Sequence, residues 1–250
     1  QSSYMLLAED AVRRGQDLVP EGPHRAGIEV TAGLLALTRE DQTAALEAFM
    51  AAIRMAPQHP EAHLHVGHLA LGHRDFARAQ RHLLVALDEP RVARKPDPWL
   101  TLGVVRRHLQ DYAGAEEAYR QARKVARTDP RPHFNLGLLF ILQAHGDYDT
   151  VEHFYALADK QLRQFVKLAR DLPELSPARA VARDYLDTIA SVQVECCWIP
   201  FRGPSEADRR EQIRKSERER LLELERSAAA HTLDVKIQLT VPPTESGITK

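Results

Sequence analysis

The side chains best suited to chemistry in this sequence are histidines. Twelve occur in 250 residues, and five of them crowd one short stretch: His59, His63, His65, His68 and His73. His65 and His68 are three apart, so on a helix they would share nearly one face. Two imidazoles at that spacing could ligate zinc, or titrate near neutral pH. No carboxylate or cysteine follows at a matching offset, so the expectation is polar structural or surface roles and no metal. Cys196 and Cys197 are the only cysteines. Adjacent cysteines make no disulfide framework, and no second pair exists to complete a zinc site. They read as small buried hydrophobes, with a redox-active pair as the alternative. Acidic residues are plentiful, but their spacing singles out no pair. There is no glycine-rich phosphate loop, no G-x-S-x-G and no H-E-x-x-H. No catalytic residue and no cofactor are expected.

The elements that position these side chains come from an internal repeat. Glycine recurs at Gly33, Gly67, Gly103 and Gly137. Aspartate follows eight residues later at Asp41, Asp75 and Asp111, and ten later at Asp147. Then come a small residue (Ala45, Ala79, Ala115, Val151), a bulky one (Phe49, Leu83, Tyr119, Tyr155) and alanine (Ala52, Ala86, Ala122, Ala158). The third copy, residues 97–130, reads DPWLTLGVVRRHLQDYAGAEEAYRQARKVARTDP. Its Trp99, Leu102, Gly103, Tyr112, Ala115, Tyr119, Ala122 and Pro130 closely resemble a tetratricopeptide repeat (TPR), two helices per copy. Arg106 stands where that family usually has an aromatic, and Pro130 comes about three residues late for the 34-residue period.

The resemblance implies an all-α, right-handed TPR solenoid of about four helix-turn-helix repeats. Residues 1–25 form an N-terminal half-repeat or capping helix. The four motifs fall in 26–172, at about 26–59, 60–95, 96–130 and 131–172, with a polar linker at 91–96. A capping helix follows at 173–197. Residues 198–250 hold an apolar knot (Trp198 to Phe201), a charged helix and a short β-strand from Leu233 to Val241, where apolar and polar residues alternate. The repeated aspartates sit just before second helices and are expected as N-caps.

The formal charge is −1, from 34 basic and 35 acidic residues, which excludes the basic excess of a nucleic-acid footprint. No apolar run is long enough to span a bilayer. The chain starts at Gln1 and is rich in arginine, alanine and leucine. The expectation drawn from this is a processed bacterial protein, with room for a lipid anchor upstream and a periplasmic or outer-membrane-anchored location.

In TPR proteins the inner face of the first helices lines a groove that holds a partner's peptide. Transferred to this sequence, that face gives four rows: Val30, Leu34 and Leu37; Leu64, His68 and Leu71; Leu100, Val104 and Arg107; Phe134, Leu138 and Ile141. Each row is spaced four then three, as one helical face requires. The lysines and asparagines of the family's carboxylate clamp are absent, so the groove implies either a partner with an apolar strip, such as an amphipathic helix or a Pro-rich strand, or filling by another part of the same protein. The resemblance therefore implies a non-enzymatic protein–protein scaffold. Its layout resembles bacterial envelope TPR proteins, including type IV pilus pilotins and gliding-motility lipoproteins. A cytoplasmic adaptor is one alternative. A metal- or redox-responsive protein using the histidine cluster or the cysteine pair is another. The C-terminal strand could join two copies into a homodimer.

Overall fold

A computed structural model describes residues 3–144, 148–197, 214–215, 217–220 and 222. Every regular element among the described residues is helical. The chain divides into two compact units, 1–139 and 140–250.

The first unit holds α1 (Ser3–Leu18), α2 (Pro23–Thr38), α3 (Gln42–Met55), α4 (Pro60–Gly72), α5 (Phe76–Leu87), α6 (Pro90–Ala93), α7 (Pro96–His108), α8 (Tyr112–Val125) and the start of α9 (Arg131–Ala144). The hairpins are α2–α3, α4–α5 and α7–α8. All three first helices open on proline, at Pro23, Pro60 and Pro96, where a missing N–H costs nothing. Thus α2 begins three residues before the expected start at Ala26, and α1 packs against it.

The turns are built alike. After α2 the Asp41 N–H reaches the Ala36 carbonyl and the Glu40 N–H reaches Leu37; Asp75 with Arg74, and Asp111 with Gln110, repeat the pattern. This is a Schellman ending, and it puts Glu40, Arg74 and Gln110 at φ of 60–61°. The aspartates then cap the second helices. Asp41 accepts from Ala44 N–H at 2.9 Å, Asp75 from Arg78 at 3.0 Å and Asp111 from Gly114 at 2.9 Å. Arg106, at the usual aromatic place, donates to the Gly114 carbonyl at 3.0 Å and so ties the two helices at their turn.

Each hairpin crosses at its glycine. A Cβ on Gly33 would lie 2.5 Å from the Phe49 ring, on Gly67 2.9 Å from Leu83, and on Gly103 2.3 Å from the Tyr119 ring. The bulky column thus fills the space that a side chain on the glycine would take, and Phe49, Leu83 and Tyr119 are fully buried.

The polar linker expected at 91–96 is corrected. Glu89 caps the helical turn α6, Val92 is buried, and the Trp99 indole donates to the Ala93 carbonyl at 2.8 Å. Closely spaced Pro90 and Pro96 read as breakers, yet each stands in a helix's first turn.

The second unit contains α10 (Tyr148–Leu168), a 3₁₀ turn (Pro173–Leu175) and α11 (Ser176–Cys197). Tyr155, Ala158, Leu162 and Phe165 form a buried stripe along α10, continued by Ala169 just beyond it, and α10 packs against α11. On α11, Val181, Tyr185 and Ile189 are buried. Arg179 donates to the carbonyls of Ala169 and Arg170, just past the end of α10, where a cation is favoured. Residues 214–215, 217–220 and 222 are helical, inside the expected charged helix. The cap at Asp147, the apolar knot and the strand at 233–241 lie outside the described residues.

Candidate partner-binding face

The side chains of the proposed groove divide into two sets. Val30, Leu100, Val104, Phe134 and Leu138 are buried, as is Ile141 in the second unit. Leu34, Leu37, Leu64, His68, Leu71 and Arg107 keep accessible surface, Leu34 the most at 40%. Leu37 leans on the core around Phe49; Leu64 and Leu71 lean on the core around Leu83. A helical stripe at four-then-three spacing is wider than a groove, so its edges also pack inward. The accessible face is therefore narrower than twelve residues, with apolar groups on α2 and α4, His68 on α4 and Arg107 on α7.

Electrostatics concentrate at Arg107 and Tyr119. The buried Tyr119 hydroxyl has the Arg107 guanidinium beside it, short of full hydrogen-bond geometry among the described residues. Burial pushes its phenol up to about 12, against the opposing pull of the Arg107 guanidinium.

The five clustered histidines have separate structural roles. The His59 ring accepts from Ala62 N–H at 3.4 Å and caps α4. His65 stacks on Phe49 with ring centroids 4.8 Å apart, and burial lowers its pKa. His68 Nε2 lies 3.3 Å from the Thr101 hydroxyl, a link from α4 to α7. His73 is the exposed residue at the end of α4. Rings 65 and 68 meet edge-on at 6.3 Å, so the pair singled out by spacing does not converge on one point. No group of three or more His, Cys, Asp or Glu side chains is arranged to hold a metal ion among the described residues. The backbone of Cys196 and Cys197 closes α11; their side chains lie outside what is described.

Spacing missed the real histidine pair, because its members are 19 residues apart on two helices. His63 Nε2 lies 2.9 Å from the Pro57 carbonyl oxygen, so that nitrogen must carry the proton. His63 Nδ1 is then an acceptor, and His82 Nδ1, 2.9 Å away, is its donor. The arrangement requires a neutral His63 ring, whereas His82 needs only the proton on its Nδ1. Burial, then the neighbouring His63, Arg78 and Arg81, lower His82 from 6.5 to about 4, with Asp75 pulling the other way. A histidine whose folded pKa is depressed contributes stability above about pH 6.5, and that stability is lost as pH falls towards 4. The denaturation midpoint is expected to fall over that window, and His82→Gln to flatten the fall. Parallel pH profiles for the two proteins would show that this ring does not couple to folding.

No family model matches the sequence, and no curated protein matches it. Solved structures share the fold. One is the MamA protein, 15% identical, TM-score 0.52, covering 66% of this chain and 86% of its own. Another is the C-terminal part of a TPR repeat-containing protein from Cytophaga hutchinsonii, 12% identical, TM-score 0.54, covering 67% of this chain. This chain spans 62% of that structure. A third is PilW, a widely conserved type IV pilus biogenesis factor, 13% identical, TM-score 0.54, covering 80% of this chain and 96% of its own.

Proposed function

We propose, from the TPR fold these structures share, that the protein is a non-enzymatic scaffold that holds a segment of a partner protein. The supporting observation is the accessible face on consecutive first helices, Leu34 and Leu37, then Leu64, His68 and Leu71, then Arg107. Apolar groups at one end and a guanidinium at the other suit an amphipathic helix with a carboxylate near its end. None of the constellations of nucleophilic, phosphate-binding or metal chemistry occurs in the sequence. Among the fold's relatives, PilW is described as a type IV pilus biogenesis factor, and this chain spans nearly all of it. That likeness supports a place in a pilus assembly.

The test compares the wild-type protein with Leu34→Asp as baits in extracts of the native cells. The variant is expected to keep its melting temperature, since Leu34 is exposed and packs on neither core cluster, and to lose the species that the wild type enriches. Equal recovery by both baits would remove the groove from the mechanism.

A further inference from the structure

At four matching places the third hairpin carries four positive charges, where the first carries one and the second no net charge. Aligned on Ala52, Ala86 and Ala122, the same four places hold Met50, Ile53, Arg54 and Pro57 in the first hairpin. In the second they hold Leu84, Leu87, Asp88 and Arg91, with no net charge. In the third they hold Arg120, Arg123, Lys124 and Arg127. The repeat architecture therefore does not require cations there.

These four side chains, with Gln121 and the buried His133 of α9, line an open cleft of about 480 Å³. Arg120 is committed to Glu116 at 2.5 Å. Of the nearby acids, Asp129 is held by Arg131 at 2.7 Å, and Glu117 accepts from Gln121 at 2.6 Å. Arg123, Lys124 and Arg127 make no ion pair with the described residues. A formal charge of −1 for the whole chain makes this a local excess against a balanced background. Favourable placement near the carboxyl end of α8 accounts for Arg123 and Lys124 in part. Arg127 lies beyond that helix and has no such role.

We infer that this cleft docks an acidic linear segment of a partner protein, a run of aspartates and glutamates. The cations run from 120 to 127, the helical part of which, up to Val125, covers about 7 Å at 1.5 Å per residue, with Arg127 beyond it. A single small anion cannot bridge that length, whereas successive carboxylates along one strand can. The cations of the cleft all come from α8 and the residues just after it, and none belongs to the groove rows on the first helices, so the inference does not depend on the scaffold reading above.

The experiment measures binding of a labelled oligoglutamate peptide to the full chain by fluorescence anisotropy, with a glycine–serine peptide as control. Oligoglutamate is expected to bind, with affinity falling as salt rises. Arg123→Gln/Lys124→Gln/Arg127→Gln is expected to weaken it about tenfold, because three solvent-accessible charge contacts of modest strength are lost together. Arg54→Gln, at the matching place in the first hairpin, is expected to change nothing. Glutamine is a good helix former, so α8 should persist, and an unchanged melting curve checks it. Absence of binding, equal binding by the triple variant, or equal binding of a single-stranded oligonucleotide of matched charge would each overturn the inference.

Discussion

Gly103→Ala is expected to destabilise the first unit by about 3 kcal/mol, the upper end for a side chain forced into a filled core. The added Cβ would sit 2.3 Å from the Tyr119 ring and within 2.8 Å of three of its atoms. Real Cβ contacts essentially never fall under 3.0 Å, so something must move. A flat ring that is completely buried has nowhere to turn. Gly67→Ala is expected to cost about 1 kcal/mol, because its nearest neighbour, Leu83 at 2.9 Å, is a branched chain that can rotate. Gly27→Ala serves as the control on a first helix. Nothing lies within 4 Å of its Cβ, and replacing a helical glycine there should gain up to about 1 kcal/mol. Urea midpoints of the three variants check the order. Equal effects at Gly27 and Gly103 would show that the glycine column is not the crossing point.

Glu40→Gly, Arg74→Gly and Gln110→Gly combined are expected to raise stability by about 2 kcal/mol. All three residues sit at φ of 60–61°, a region that costs a side-chain-bearing residue about 1 kcal/mol or more. Glycine removes that cost but adds conformational freedom to the unfolded chain, so the net gain per site is smaller than the strain, at about 0.7 kcal/mol. The three turns belong to different hairpins and share no partners, so the gains should add. Single variants that each destabilise would mean that the exposed side chains at these turns contribute more than the backbone strain costs.

Sequence reasoning reached the hairpins because their signals are local. Glycine, aspartate and the bulky column lie within one helix pair, and each has a fixed steric or hydrogen-bonding job. The left-handed turn residues were not legible. Glutamate, arginine and glutamine have no preference for that conformation, and the paired Schellman bonds impose it. The short helix α6 was hidden by its flanking prolines, which mark helix starts as readily as breaks. The His63–His82 contact joins two helices, so no spacing rule could reveal it. The groove was half legible. Period sets which face a residue is on, but not how much of that face its neighbours cover. That is why Leu34 is open while Val30 and Leu100, equally good candidates by pattern, are buried.

The self-contained hairpin has a kinetic consequence. Start, stop and crossing of each pair all come from residues fewer than about twenty positions apart, such as Gly103, Asp111 and Tyr119. Contacts this short close small loops, and low contact order goes with folding in microseconds to milliseconds. A hairpin could therefore form as soon as its own helices have been synthesised, before the next is made. Growth of the array would then be a zipper in which each finished pair offers its face to the one that follows.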